Sequence, residues 1–66
     1  MRLTVNGEEI EIAGAPSVAD LVVSLELNPK KVAVERNLEI VPRSAYAFTP
    51  LAEGDRIEIV HFIGGG

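Results

Sequence analysis

The sequence predicts an α+β domain in which a mixed sheet of four to five strands packs one face against a single helix. Two patterns predict the strands: an alternating segment around Asn6-Gly7 and a long apolar segment over residues 56–63. A third predicts the helix, because apolar residues recur at helical spacing after Ser17. The 66 residues suffice for one small core, which leaves little room for a buried small-molecule pocket. We therefore expect a protein that is not an enzyme.

The first hairpin is the clearest local prediction. Apolar and polar residues alternate over residues 2–5 and again over residues 9–12, on either side of Asn6-Gly7. Asn and Gly tolerate positive φ, which two-residue hairpin turns require. We expect the apolar side of this hairpin to face the core and its glutamates to face solvent.

The helix is predicted over residues 18–25. Ser17 is suited to the N-cap, and Asp20, three residues on, suits the reciprocal half of a capping box. Asn28-Pro29 is expected to end the helix, because the residue before a proline is disfavoured in the α region. The apolar positions share one helix face: Val18, Leu21, Val22 and Leu25.

Two further strands follow, over residues 32–36 and 39–41, with a turn at Asn37 between them. Pro42 halts the second. Residues 43–50 read as irregular, and their aromatics, Tyr46 and Phe48, are predicted to lie in the core or at its rim. A turn at Glu53-Gly54-Asp55 leads into the last strand.

The last strand, residues 56–63, is expected to lie in mid-sheet beside the first hairpin. Ile57 and Ile59 would then face the helix, and Val60 and Phe62 the other side of the sheet. An exposed Val60–Phe62 pair suits a partner docking patch. The alternative is that residues 43–50 fold over this pair and cover it. His61, near the strand end, is predicted to be a rim residue.

Charge and composition narrow the function classes. Ten acidic residues against six basic ones give a net charge of −4, which disfavours nucleic acid as a partner. Without cysteine the chain has no disulfide, thiolate metal site, iron–sulfur cluster or cysteine nucleophile. No apolar run approaches the roughly 18 residues of a membrane span. We expect a cytoplasmic protein, monomeric on its own, that binds no metal.

Three glycines, Gly64, Gly65 and Gly66, follow the last strand. Glycine has no Cβ and can pass through channels too narrow for other residues. Three extended residues reach about 10 Å, at roughly 3.3–3.6 Å each, enough to carry a carboxylate into a partner's active site. The sequence thus divides into a domain over residues 1–63 and a flexible tail over residues 64–66. The alternative is a frayed end without a function.

The element order and two segments resemble a known family. The segment Glu53-Gly54-Asp55, continued by the apolar strand and the glycines, is typical of the ubiquitin-like sulfur carriers, which have the β-grasp fold. Val41-Pro42-Arg43-Ser44 followed by Tyr46 is similar to the ThiS family, the sulfur carriers of thiamine (thiazole) biosynthesis. The resemblance covers the whole chain. Two departures are Asn37-Leu38, where Asn-Gly is frequent, and the third terminal glycine.

The resemblance implies a chemistry for the tail. An E1-like adenylyltransferase of the ThiF type would bind the tail beside ATP and magnesium and adenylate the Gly66 carboxylate. A persulfide sulfur supplied through a cysteine desulfurase would displace AMP and leave a thiocarboxylate, whose sulfur a ThiG-type thiazole synthase would accept. The chain itself would bind no permanent cofactor and contribute no catalytic side chain.

Two alternatives remain open at this point. The first is a related protein with the same tail chemistry but a different acceptor for the tail: the small subunit of molybdopterin synthase, or a ubiquitin-like protein modifier. The second is of a different class, a β-grasp protein-interaction module with an inert tail.

Overall fold

The computed structural model describes residues 1–62. Within them the sheet has the order β2-β1-β5-β3-β4, with β5 parallel to β1 and antiparallel to β3. This mixed sheet with one α-helix confirms the predicted α+β class and the central position of the last strand. The elements are β1 (Arg2–Val5), β2 (Glu8–Glu11), α1 (Val18–Ser24), a 3-10 helix (Pro29–Lys31), β3 (Val32–Arg36), β4 (Glu39–Val41), a second 3-10 helix (Arg43–Phe48) and β5 (Arg56–His61).

One core lies between α1 and one face of the sheet. Alternate residues of β1, β3 and β5 point into it, and they meet the apolar face of the helix. We call the opposite face of the sheet, which α1 does not cover, the open face. The buried residues are Leu3, Val5, Val18, Leu21, Val22, Val32, Val34, Val41, Tyr46, Leu51, Ile57 and Ile59. No helix within residues 1–62 is long and apolar enough to cross a bilayer.

Both ends of α1 lie within one residue of the predicted ones, but the cause of its end differs from the predicted one. The Asp20 backbone N–H donates to the Ser17 hydroxyl at 3.1 Å, and the Ser17 N–H donates to the Asp20 carboxylate at 2.9 Å. These two bonds form the predicted capping box. The helix ends at Ser24, with Leu25 as its C-cap, so Asn28-Pro29 is too far along the chain to be what ends it.

A Schellman motif ends the helix. Glu26 adopts φ 60, in the left-handed region. Its N–H donates to the Val23 carbonyl, and the Leu27 N–H donates to the Val22 carbonyl. These are the two bonds that define the motif. Glycine usually occupies the left-handed position, so a glutamate there gives no sequence signal.

The turn between β3 and β4 keeps its geometry without the usual glycine. Asn37 and Leu38 have φ of 51 and 71, which matches a type I′ turn. The Asn37 N–H donates to the Arg56 carbonyl at 2.8 Å, and the Arg56 N–H donates to the Asn37 side chain at 2.9 Å. The turn is therefore tied to the start of β5, which helps to hold Leu38 in an unfavourable conformation.

Replacing Leu38 with glycine is expected to stabilise the domain by about 1 kcal/mol, because a left-handed conformation costs a residue with a Cβ about 1–2 kcal/mol. Leu38 is 78% exposed, so little packing is lost. Leu38→Ala is the matched control: it removes the side chain but keeps the Cβ, and should change the free energy of unfolding by less. Urea unfolding followed by circular dichroism measures both. Equal effects of the two substitutions would show that backbone strain is not the cause.

The segment predicted to be irregular is a 3-10 helix over Arg43–Phe48. Tyr46 is buried, as predicted, and its hydroxyl donates to the Val32 carbonyl at 3.2 Å. The prediction for Phe48 was wrong, because its side chain is 83% exposed. The Val18 N–H donates to the Thr49 carbonyl, so the segment lies against the helix and leaves the open face uncovered.

Candidate functional site

Val60 and Phe62, the predicted docking pair, lie on the open face near the end of β5. Ile57 and Ile59 are buried against the helix, as their alternate positions along the strand predict. Val60 is 60% exposed and Phe62 is 47% exposed, so the structure presents both to solvent. A role in docking stays a prediction.

Hydrogen bonds on both sides of β5 fix the strand as far as this pair. The Asn6 side chain makes two hydrogen bonds to the Ile59 backbone. It accepts from the N–H at 2.7 Å and donates to the carbonyl at 3.2 Å. On the other side, the Phe62 N–H donates to the Lys31 carbonyl at 2.7 Å. The chain is thus hydrogen-bonded to the sheet four residues before Gly66. Exposed His61 lies between the pair, at the rim as predicted.

The tail itself lies outside the described residues. This applies to Gly64, Gly65 and the predicted sulfur-carrying residue Gly66, as well as to Ile63 at the predicted end of the strand. Within residues 1–62, β5 ends at His61.

Asp55 anchors the start of β5, at the opposite end from the docking pair. Its buried carboxylate accepts from Arg36 Nε at 2.8 Å, from the Ala52 N–H at 2.8 Å and from Asn37 Nδ2 at 3.0 Å. Burial opposes ionisation of this carboxylate. The hydrogen bonds and the Arg36 charge outweigh that effect and lower the pKa of Asp55 below 3.8, the value of a free aspartate. Asp55 therefore joins β5 to the β3–β4 turn as an ionised group.

The open face carries more exposed apolar surface than the sequence analysis named. Ile40 on β4 and Leu38 in the adjoining turn are both exposed. Between them and Val60 lies β3, whose Glu35 is paired with Ile40 on one side and with Glu58 on the other. The alternation along β4, with Val41 buried, is the sequence signal that places Ile40 on this face.

Two open depressions lie at the other end of the sheet. One, of about 260 Å³, is formed by β4 and its surroundings, including Pro42 and Thr49. The other, of about 470 Å³, lies between Leu38, Gly54 and Arg56. Asn37 lines both. Neither includes the docking pair, so the pair belongs to the surface of the sheet and not to a cavity.

Comparison with known proteins identifies the family. The family model described as the ThiS family matches residues 3–66. The chain belongs to the ThiS family. Within this family it is 42% identical to the sulfur carrier protein ThiS of Bacillus subtilis, over 97% of the chain and 98% of that protein. The crystal structure of the thiamine biosynthesis protein ThiS from Geobacter metallireducens superposes with a TM-score of 0.85, at 36% identity, over the whole of both chains. The β-grasp fold of the ThiS family is thereby confirmed.

Larger proteins also contain a stretch similar to this ThiS-family chain. The thiazole synthase of Paramagnetospirillum magneticum is 52% identical over all 66 residues, and that of Magnetococcus marinus is 44% identical. The chain spans about 20% of the length of each. A ThiS-like stretch thus occurs both in a small carrier of similar length and inside proteins named for thiazole synthesis.

Proposed function

We propose that this chain is a sulfur carrier in thiamine biosynthesis, with the carboxyl group of Gly66 as the carrying group. The observation that carries the proposal is the match to the B. subtilis sulfur carrier protein ThiS, which spans nearly all of both proteins. The fold supports it, since β5 is held in mid-sheet and Phe62, the residue that follows it, lies four residues before Gly66.

The tail chemistry follows from the weak electrophilicity of a carboxylate. The ionised Gly66 carboxylate attacks the α-phosphate of ATP, pyrophosphate leaves, and an acyl-adenylate forms. The adenylyltransferase supplies ATP, magnesium and the groups that stabilise the phosphoryl charge. The terminal sulfur of a persulfide, supplied through a cysteine desulfurase, then displaces AMP. A thiol cleaves the resulting acyl disulfide and leaves the thiocarboxylate. The chain contributes the carboxylate and its reach, and no catalytic side chain.

Two partners enter this proposal. A ThiF-type adenylyltransferase performs the activation, and the cycle takes place in the cytoplasm. A ThiG-type thiazole synthase accepts the sulfur. The occurrence of a ThiS-like stretch inside proteins named thiazole synthase supports the second partner.

The sulfur-transfer proposal is tested by intact-mass measurement of the protein after incubation with a ThiF-type adenylyltransferase, Mg·ATP and a persulfide source. We expect the mass to increase by the difference between sulfur and oxygen, and the increase to map to the peptide that contains Gly66. Omission of ATP should prevent it. An unchanged mass under conditions that convert the B. subtilis carrier would contradict the proposal.

The docking pair provides a separate prediction. Phe62→Asp should weaken binding to the adenylyltransferase about tenfold or more, because it places a charge in an apolar contact next to the tail. Phe48→Asp is the matched control: it makes the same change at an exposed phenylalanine on the helix side of the domain. Calorimetric titration measures both. Equal affinities for the two variants, with both folded by circular dichroism, would show that the open face does not dock.

A further inference from the structure

One asparagine side chain takes the place of a strand neighbour near the end of β5. The pairing of β1 with β5 ends at Val5 and Ile57, because the chain then turns away into β2. The N–H and the carbonyl of Ile59 therefore point past the end of β1. Asn6 supplies a partner for each of them: its Oδ1 accepts from the Ile59 N–H, and its Nδ2 donates to the Ile59 carbonyl. A side-chain amide offers both a donor and an acceptor, as a peptide group does, so Asn6 extends the sheet by one position.

A second asparagine makes similar contacts at the opposite end of β5. Asn6 and Asn37 each occupy the first position of a two-residue hairpin turn, with φ of 50 and 51. The Asn37 side chain accepts from the Arg56 N–H and donates to the Asp55 carboxylate. β1 runs parallel to β5 and β3 runs antiparallel to it. The turn after β1 therefore lies beside the end of β5, and the turn after β3 lies beside its start.

Of these two contacts, the one made by Asn6 is close to the tail. Ile59 directly precedes Val60 of the docking pair, and Phe62, its other member, lies four residues before Gly66. Four extended residues span at most about 14 Å, at roughly 3.3–3.6 Å each. A connection this short limits how far Gly66 can compensate for a displaced starting point. A displacement of about 1 Å can cost about 100-fold in rate at a reacting centre.

We propose that Asn6 is a positioning residue for the activation of Gly66, because it fixes β5 at Ile59 and so sets the point from which the tail starts. The inference rests on the proposed function and adds to it a residue that touches neither ATP nor the sulfur. Without this contact β3 still pairs with β5 as far as His61, so the docking pair keeps its place on the sheet. Loss of the Asn6 side chain should therefore slow the reaction of the bound carrier more than it weakens binding.

The test compares Asn6→Gly with Asn37→Gly as its matched control. Glycine tolerates positive φ, so both replacements keep the turn, and each removes two side-chain hydrogen bonds. Rates of sulfur gain are measured by intact mass over a range of carrier concentrations, with a ThiF-type adenylyltransferase, Mg·ATP and a persulfide source. In Asn6→Gly we expect kcat to fall about tenfold and KM to change by less than about threefold. Asn37→Gly should keep both constants within about twofold of the wild-type values.

Stability measurements separate a positioning role from a loss of fold. Asn37→Gly should lower the melting temperature at least as much as Asn6→Gly, because it also removes a donor from the buried Asp55 carboxylate. Rates are compared at a temperature at which circular dichroism shows both variants to be folded, so a lower kcat in Asn6→Gly alone does not come from unfolding. Hydrogen exchange of the Ile59 amide should be faster in Asn6→Gly than in Asn37→Gly, because only the first releases the end of β5.

Three results would overturn the inference: an unchanged kcat in Asn6→Gly, an equal loss of kcat in Asn37→Gly, and an effect of Asn6→Gly on KM alone. If Asn6→Gly does not fold, Asn6→Asp decides, since aspartate tolerates the turn and keeps the acceptor for the Ile59 N–H but lacks the donor to its carbonyl. A wild-type kcat in Asn6→Asp would then refute the role. Wild-type protein that gains sulfur while Asn6→Gly reacts normally contradicts the positioning role but not the carrier function. Wild-type protein that gains no sulfur contradicts the carrier function itself.

Discussion

Replacing Gly65 with valine is expected to reduce thiocarboxylate formation about 100-fold or more, because a displacement of only about 1 Å at a reacting centre can cost that much. A β-branched side chain restricts φ and ψ and widens the segment that must enter the adenylyltransferase. The domain should melt at an unchanged temperature, since Gly65 follows the last residue of β5 by four positions. Rates of sulfur gain, followed by intact mass at saturating adenylyltransferase, provide the measurement.

Ala47→Val is a suitable control for this substitution. Ala47 is exposed on the second 3-10 helix, so the change creates the same β-branched side chain away from the open face. It should leave the rate of sulfur gain unchanged. A Gly65→Val variant that gains sulfur at the wild-type rate would mean that the tail does not enter a narrow channel.

Removing the Asp55 carboxylate is expected to destabilise the domain by about 3 kcal/mol, since breaking a buried ion pair leaves its donors unsatisfied. Three donors converge on this group, from Arg36, Asn37 and Ala52. A domain of this size has a total stability of about 3–10 kcal/mol, so Asp55→Ala should be unfolded or nearly so at 37 °C. Asp20→Ala is the control, because Asp20 is exposed and supports only the helix cap. It should cost about 1 kcal/mol.

The same carboxylate makes stability depend on pH. The pKa of Asp55 is lower in the folded protein than in the unfolded chain, so its contribution is complete above about pH 4. The contribution is lost as the pH falls from there towards the folded-state pKa. The difference in unfolding free energy between wild-type protein and Asp55→Ala should therefore narrow below pH 4. A difference that stays constant from pH 7 to pH 3 would show that the ionised carboxylate is not what stabilises the fold.

Local sequence signals predicted most of the fold because each has a backbone cause. The Asn6-Gly7 turn, the Ser17 capping box and the strand at residues 32–36 all appear where the pattern placed them. Two features have no such signal: the cause of the helix end and the exposure of Phe48. Glu26 adopts the left-handed backbone conformation that glycine usually occupies, and Phe48 remains at the surface although it is aromatic. Neither residue type signals these states.

The candidate site was predicted only in part, for a related reason. Successive side chains of a strand point to opposite faces of the sheet, so the sequence of β5 alone places Val60 and Phe62 on the open face. The meeting of Glu35 with Glu58 depends on the register between two strands, which alternation along one strand does not determine. The sequence therefore indicates the tail and the apolar pair, and carries no signal for the pairing of the two glutamates.

The middle position of β5 also determines when, during synthesis, the sheet can form. A chain still being synthesised has β1 to β4 before it has residues 56–61, which join the two halves of the sheet. Native pairing of Thr4 with Arg56 joins residues far apart in the sequence, so it must wait until residues 56–61 have emerged from the ribosome. We expect chains that stop before β5 to remain unfolded and open to proteolysis. Ribosome-stalled nascent chains of increasing length would reveal this order.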